Sequence, residues 1–487
     1  MTALAAPMRT LAALQPMEVA GSVSTVRGLT LLVDDLALPV GALVRIDAGA
    51  RGGAAARADG EALRGEIIGF DGPRTIVMLH AHATGIAPGA AVIGEQAANA
   101  IAVGKSLLGR VIDSLGRALD AGPRPIGTQL MPLLADPASA MRRRRITQPM
   151  PTGVRTIDAM LTLGKGQRVG VFSGSGIGKT TLLGAIARNT PADINVIGLV
   201  GERGREVREF IDGALGDEGL ARSVVVVATG DQSPLLRVRA ALAACAVAEW
   251  FRDAGADVMP MMDSITRFAQ AQRQIGLSMG EQPAARGYTP SVLAMLPALL
   301  ERAGTVEGAG SITGLYAVLV EGDDLNEPIS DAARAVLDGH LVLSRRLAAR
   351  GHYPAINVLD SISRVADDVG DTQHQSARRL LLRLLSAHAE AEELISIGAY
   401  VRGTNAATDA AIAMKDELDA FLQQARAVRA AWQPTCRRLN ELAERASDLM
   451  AQGATVVRSE EPATPSARRA TPQEARRSPW TSAPWAR

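Results

Sequence analysis

With 487 residues the chain has room for roughly three domains, and at 47% hydrophobic it can bury a substantial core. Lys and Arg (52) nearly balance Asp and Glu (51), leaving a formal charge of +1, which excludes a chain-wide basic footprint for nucleic acid. Aromatic residues make up 3%, too few for an extensive base-stacking platform.

Residues 1–17 place Leu4, Met8, Leu11 and Leu14 at helical spacing. A short partner-binding helix and a frayed terminus both fit that pattern. Arg9 is the only charge there, and Pro7 and Pro16 interrupt the segment, which is unlike a secretory signal. No uninterrupted apolar stretch anywhere approaches the length that spans a bilayer. The expectation is a soluble, intracellular protein. Cys245 and Cys436 lack metal-ligand spacing, and only His80 and His82 lie close together, so no structural metal is expected.

Over 18–95, β-rich runs at 23–26, 30–33, 43–46, 65–68 and 75–79 alternate with Gly- and Asp-rich breaks. This is the signature of a small all-β barrel or sandwich. A loop of Ala, Gly, Arg and Asp interrupts it at 49–60, and the module reads as an assembly element. Residues 96–151 form a connector with a short strand at 109–113, a turn at 116–120, and Pro123 and Pro125 after it. The run Arg142, Arg143, Arg144, Arg145 reads as a solvated linker face, the other reading being contact with an acidic partner or a membrane surface.

From 152 to 365 the pattern becomes strand, helix, strand, helix. Continuous apolar runs at 169–172, 194–200, 224–228, 258–262 and 316–320 indicate strands buried on both faces, hence a mostly parallel sheet wrapped by helices. Pro260 is an anomaly in the fourth run, because proline lacks the ladder donor. The first run leads into Gly174, Ser175, Gly176, Ile177 and Gly178, and then Lys179, Thr180 and Thr181 open an apolar-periodic helix. Strand, glycine loop and helix in that order form the context of a phosphate-binding loop. The glycines let backbone N–H groups turn inward, and the helix start adds partial positive charge. Lys179 is expected to reach the β- and γ-phosphates, and Thr180 to hold Mg²⁺. Ser173 stands where the first glycine of the motif belongs.

Hydrolysis also needs a carboxylate on the metal side and a group that orients water. Asp263 ends the apolar run 258–262, where it could contact the Mg²⁺ shell or cap the next helix. Glu202 and Arg203 follow the strand 194–200 at its tip, ahead of a charged stretch in which Arg205 and Glu209 have helical pair spacing. Residues 366–452 are helical in pattern, with leucine-rich and alanine-rich runs at 380–385 and 411–422 and breaks at Gly398 and Gly403. Residues 453–487 read as a disordered basic tail containing Trp480 and Trp485.

These motifs, in this order, carry a resemblance. Gly-Glu-Arg-Gly-Arg-Glu-Val-Arg-Glu-Phe-Ile at 201–211, Ala-Thr-Gly-Asp-Gln-Ser-Pro-Leu-Leu at 228–236 and Met-Asp-Ser-Ile-Thr-Arg-Phe-Ala at 262–269 follow the phosphate loop. Arg-Gly-Tyr at 286–288, Gly-Ser-Ile-Thr at 310–313 and Glu-Gly-Asp-Asp at 321–324 come next. His-Tyr-Pro-Ala-Ile at 352–356 and Asp-Ser-Ile-Ser-Arg-Val at 360–365 complete the set. From about residue 20 to about residue 425 the chain resembles the ATPases of bacterial type III protein export, flagellar and injectisome, which are related to the catalytic subunits of F-type rotary ATP synthases. The wording at 201–211 and 352–356 leans flagellar. Ser173, Gly230, Gln282 and Ala366 depart from the family pattern, and none of them removes a catalytic side chain.

The resemblance implies an α/β fold: a RecA-like P-loop core with a mostly parallel sheet, an N-terminal β-barrel that forms the ring's crown, and a C-terminal helical domain. It implies ATP and Mg²⁺ as cofactors. Glu202 then polarises the attacking water, Arg203 contacts the γ-phosphate, and Asp263 acts on the Mg²⁺ side through water. Arg364 matches an arginine finger inserted into a neighbour's site, and Tyr353 an aromatic that packs on adenine. A finger given in trans requires an oligomer, by resemblance a homohexamer. Implied partners are a stator protein, a coiled-coil stalk, chaperone–substrate complexes and the membrane export gate, at the cytoplasmic face of the membrane. No specific nucleic acid is expected. Against a hexameric RNA helicase, the barrel segment holds one aromatic, Phe70. Against a two-chain rotary synthase, Glu202 and Arg364 occupy the same chain.

Overall fold

A computed structural model describes residues 19–47, 62–96, 99–125, 129–320, 322 and 324–459. The expected N-terminal helix, the loop at 49–60, Glu321 and Asp323 of their motif, and Trp480 and Trp485 lie outside the described residues.

Six strands close a barrel: β1 (Ala20–Arg27), β2 (Thr30–Asp34), β3 (Leu43–Asp47), β4 (Leu63–Asp71), β5 (Arg74–Leu79) and β6 (Ala91–Gln96), ordered β1-β2-β5-β4-β3-β6. Inward residues such as Leu31, Val33, Val44, Val77 and Val92 form its own core. The sequence pattern missed β6, which closes the barrel by pairing with both β1 and β3. Behind the barrel, β7 (Ala100–Val103) pairs with β9 (Gln129–Pro132). Arg239, buried in the helix Pro234–Asp253, ties the two bodies together. Its guanidinium donates to Asn99 Oδ1, to the carbonyls of Ala100 and Ser114, and to Glu66 of β4 at 3.3 Å.

The central sheet runs β18-β17-β10-β16-β13-β11-β12-β8. Its strands are β8 (Arg110–Asp113), β10 (Arg168–Ser173), β11 (Ile194–Val200), β12 (Ser223–Ala228), β13 (Asp257–Asp263), β16 (Gly314–Leu319), β17 (Gly339–Leu343) and β18 (Ile356–Ser363). The path from β17 to β8 is parallel, and β18 is antiparallel to β17. The connector strand β8 therefore belongs to this sheet. Strands β10, β11, β12 and β13 are buried almost throughout, as continuous apolar runs require.

Pro260 is accommodated by a change of partner. On one side β13 pairs without interruption with β11, Pro260 opposite Val196. On the other side Asp257 and Val258 pair with β15 (Ser311–Ile312), and Met261 and Met262 with β16. Pro260 falls in the gap, where no ladder donor is called for.

The basic run of the connector is mostly exposed, with Arg143 half-buried, and it is also tied down. Arg143 donates to the carbonyls of Ala138, Ala303 and Glu301, Arg144 to that of Ala309, and Arg145 pairs with Asp368 at 2.7 Å. These arginines bind the connector to the core. The C-terminal part is helical, with Thr372–Ser396, Ala406–Ala413, Lys415–Leu422 and Trp432–Ser459. The run at 411–422 is two helices broken at Met414, and the last helix continues past residue 452, where a tail was expected. Among the described residues no helix is long and apolar enough to cross a membrane.

Candidate nucleotide-hydrolysis site

Parallel registers bring the strand ends to one edge. Ser173 lies opposite Leu319, Met262 opposite Tyr316, and Leu199 opposite Asp263. The residues that follow β10, β11 and β13 therefore meet above that edge, where open α/β sheets hold ligands. After β10 the chain turns through Gly176 (φ 78°) and Gly178 (φ 100°), both left-handed. The space a Cβ of Gly176 would fill is open. Gly178 precedes the helix Lys179–Asn189, and no side chain caps it. Its first N–H groups have no intrahelical partner and point at an anion's position.

Ser173 is the last residue of β10 and is not among the positive-φ residues. The loop's left-handed turns fall later, at Gly176 and Gly178, so glycine is not demanded at 173. The Ser173 hydroxyl is buried without a hydrogen-bond partner.

Lys179 is buried and its Nζ contacts Asp263 Oδ1, with Glu202 Oε1 at 3.7 Å. Asp263 does not cap the following helix; Ser264 does, its Oγ accepting from Arg267 N. Glu202 stands between β11 and the helix Gly204–Glu209, ahead of the surface pair Arg205–Glu209 at 3.2 Å. Burial, first, pushes the Glu202 carboxyl up to about 8, aided by the charge of Asp263 and a hydrogen bond with Glu206, and opposed by Lys179. That same hydrogen bond is the main influence holding Glu206 below its ordinary value. Arg203 is exposed and reaches Glu206 at 3.3 Å.

Two cavities share Gly176 and Gly178 as walls. The polar one, about 620 Å³, is lined by Lys179, Thr180, Glu202, Arg203 and Arg267 among others. The apolar one, about 540 Å³, is lined by Ile177, Leu182, Tyr353, Gln424 and Arg426 among others. Tyr353, at 49% exposure, is a cavity wall and not a core residue. A triphosphate in the first cavity and a base in the second fit this pair. Among the described residues no cluster of three or more His, Cys, Asp or Glu could hold a metal. The Thr180 hydroxyl and Asp263 carboxylate still suit Mg²⁺, which takes few protein ligands when phosphate oxygens and water complete its shell.

Arg364 is elsewhere. It follows β18, and its N–H donates to Asp338 O at 3.0 Å, next to Arg168 at the start of β10. It does not make the surface pair that its sequence neighbours suggest. Asp367 pairs with Arg378 and Arg379, and Asp368 with Arg145.

Sequence reasoning passed over Glu206, although its spacing of four from Glu202 was readable. It also missed the segment around Gln424–Arg426, which reaches the base cavity from the helical domain. Gln424 N donates to Tyr353 O at 2.8 Å, and its side chain bonds Gly153 O. No local pattern marks such a long-range wall.

Residues 153–363 match the model of the ATP synthase alpha/beta family, nucleotide-binding domain, and residues 371–441 that of the T3SS EscN ATPase C-terminal domain. The chain is 48% identical over 428 residues to the flagellum-specific ATP synthase of Treponema pallidum, covering 88% of this chain and 94% of that one. It is 49% identical over 361 residues to a type 3 secretion system ATPase of Xanthomonas euvesicatoria, covering 74% and 81%. It also superimposes on the assembled ATPase EscN of the enteropathogenic E. coli type III secretion system. There the TM-score is 0.80 at 38% identity, over 87% of this chain and 100% of that one. With its central stalk EscO bound, EscN gives 0.78 and 37%.

The chain belongs to the type III export branch of the ATP synthase alpha/beta family.

Membership accounts for a phosphate loop placed between a barrel and a helical domain in one chain. At Gly230 the backbone N–H donates to Glu202 O at 3.0 Å, so the loop after β12 braces the turn that presents Glu202. Ala366 is buried at the start of the short helix Ala366–Val369.

Proposed function

We propose that the protein is the ATP-hydrolysing subunit of a homohexameric motor that energises type III protein export, in the flagellar system. The observation that carries this is the contact set of Lys179 with Asp263 and Glu202 at the mouth of an uncapped phosphate loop. A bound ATP places its base against Tyr353 and its phosphates along Gly174, Ser175, Gly176, Ile177, Gly178, Lys179, Thr180 and Thr181. Thr180, and Asp263 through water, would hold Mg²⁺, which would supply charge neutralisation to the phosphates.

Lys179 then exchanges its carboxylate contacts for phosphate oxygens. Glu202 orients the water in line with the γ-phosphorus and takes up its proton as the new P–O bond forms and the bond to the β,γ-bridging oxygen breaks, releasing ADP and phosphate. Arg203 and the neighbouring subunit's Arg364 stabilise the charge on the departing γ-phosphoryl oxygens. The flagellar reading is supported by the Treponema pallidum relative, which is matched over nearly its whole length. The assembled EscN and its EscO complex support a ring with a central stalk protein. A stator protein, chaperone–substrate complexes and the export gate are the further partners, with the ring peripheral to the inner face of the cytoplasmic membrane.

Glu202→Gln is the test. MgATP should still bind with near-native affinity while turnover falls by roughly 10²- to 10⁴-fold, the usual worth of a positioned base. Turnover close to wild type would remove Glu202 from the mechanism. Complementation decides the system: a deletion strain should regain motility and flagellin export, and recovery of effector secretion alone would place the protein in an injectisome.

A further inference from the structure

Resting on the reading above, in which the nucleobase lies against Tyr353, we propose that Gln424 is a positioning residue that pins the helical-domain wall of the base cavity. That cavity, about 540 Å³, is lined by Gly176 and Ile177 of the phosphate loop, by Tyr353, and by Gln424, Arg426 and Val428 among others. The phosphate loop and Tyr353 sit beside strands of the central sheet. The other wall has no such support. Residues 423–431 form neither helix nor strand between Lys415–Leu422 and Trp432–Ser459, and all are exposed except Gln424 and Ala430, which are half-buried. A stretch with no ladder and no packed face holds one conformation only where specific bonds fix it.

The Gln424 amide supplies those bonds. Its Nε2 donates to Val428 O at 2.7 Å and to Gly153 O at 2.8 Å, and its Oε1 accepts from Arg155 N at 2.8 Å. The first bond closes the turn from Gln424 to Val428, both ends of which line the cavity. The other two join that turn to the chain entering the core. Gly153 is a fixed anchor, with a left-handed φ of 72° and no room for a Cβ, which would meet Asn189 Cβ at 2.4 Å. The backbone N–H of Gln424 adds a bond to Tyr353 O at 2.8 Å. Two carbonyls demand donors and one N–H demands an acceptor, so the amide has a single satisfying orientation and no N–H left over for a base. Gln424 therefore acts by placing backbone, not by reading the edge of the nucleobase. A base in an apolar slot gains from contact with both walls, and a gap of about 0.5–1 Å forfeits a quarter to a half of that attraction. The base is remote from the γ-phosphate, so this contact is equal in the ground state and the transition state.

The experiment compares Gln424→Ala and Gln424→Met with wild type in the full-length ring. Each protein is measured for kcat, KM and affinity for MgATP and for Mg-tripolyphosphate, which has the phosphates and no base. Methionine keeps the reach and bulk of glutamine and makes none of its bonds. Both variants should bind MgATP roughly 10- to 100-fold more weakly, with KM raised in step and kcat at saturation within about twofold of wild type. Tripolyphosphate affinity should stay within about twofold, since the phosphate loop is untouched. Native MgATP affinity in the Ala variant would show that the bonds place nothing, and native affinity in the Met variant that bulk alone suffices. An equal loss of tripolyphosphate affinity, or a fall in kcat with affinity kept, would show damage at the phosphates. Each of these results overturns the role. If wild type binds MgATP no better than Mg-tripolyphosphate, the placement of the base fails and this role with it. If wild type favours MgATP and Gln424→Ala does so equally, only the positioning role fails. Turnover retained by Glu202→Gln would instead count against the hydrolysis mechanism and leave the affinity split of Gln424 intact.

Discussion

Arg364 and Lys179 stand at opposite ends of one sheet. Arg364 is hydrogen-bonded through its backbone to Asp338, which holds Arg168 at the beginning of β10, whereas Lys179 lies beyond Ser173 at its end. The six residues of β10 separate those ends by roughly 16 Å at the usual strand rise. Arg364 therefore lies at the end of the sheet away from the phosphate loop of its own chain, so the finger role proposed for it would be exercised on another copy.

Mixed rings test that geometry. Arg364→Ala and Glu202→Gln should each be nearly inactive alone. Co-assembled at equal amounts, roughly a quarter of interfaces pair an intact Glu202 with an intact neighbouring Arg364, in a heterologous ring whose contacts run head to tail. Turnover should recover toward that fraction on mixing. Mixtures as inactive as the separate variants would show that Arg364 acts within its own chain or not at all.

The raised Glu202 pKa gives a pH dependence with a definite sign. In the folded, nucleotide-free protein this carboxyl keeps its proton to about pH 8, whereas an ordinary glutamate loses it near 4.5. The folded state thus binds more protons than the unfolded state between those values. Stability falls as pH rises through that window and levels off above it. Glu202→Gln has nothing to titrate there. Its melting temperature should rise relative to wild type by a few degrees between pH 5 and pH 9, measured without nucleotide. A difference that stays constant across that range would contradict the burial of an uncharged Glu202.

Much of the site was legible because each element of it is announced locally. A strand run followed by a glycine turn marked Lys179 and Thr180, and the polar residues ending two other apolar runs marked Glu202 and Asp263. Burial on both faces made those runs continuous, so the central strands could be read almost to the residue. Features set by distant packing were not legible. Strand β17 alternates buried and half-buried residues, and β18 carries exposed positions such as Leu359 and Ile362 because it is a sheet edge. Their pattern does not resemble a buried strand. The ties made by the arginines at 143–145 leave no local mark, because their acceptors are mostly backbone carbonyls more than 150 positions away. The choice between metal-side carboxylate and helix cap for Asp263 needed Ser264, whose hydroxyl takes the cap.

A buried ion pair spans the junction of barrel and core. Arg239 and Glu66 have side chains 4% and 7% exposed, and burial pushes the Glu66 carboxyl up to about 7 against the pull of Arg239. Arg239→Ala leaves Glu66 buried beside Asn99 with no cation, at a cost of about 3–5 kcal/mol. The thermal unfolding midpoint should drop accordingly. Joint replacement by Arg239→Met and Glu66→Leu should restore most of it, since apolar groups of similar volume need no partner. A double variant as unstable as Arg239→Ala would mean that the bonds to the Ala100 and Ser114 carbonyls, not the ion pair, hold the junction.

Ser173 occupies the first glycine position of the phosphate-loop motif, and its geometry says that glycine is not needed there. Its backbone continues β10 opposite Leu319, the turn proper begins after it, and its hydroxyl bonds nothing. Ser173→Gly should therefore leave MgATP affinity and turnover within about twofold of wild type, while added chain freedom lowers stability by about 0.5–1 kcal/mol. A marked gain in nucleotide affinity would mean that the serine side chain constrains the loop when phosphate binds. A marked loss would mean that its hydroxyl, unpartnered here, turns to the nucleotide. Isothermal titration of MgATP with both proteins separates these outcomes.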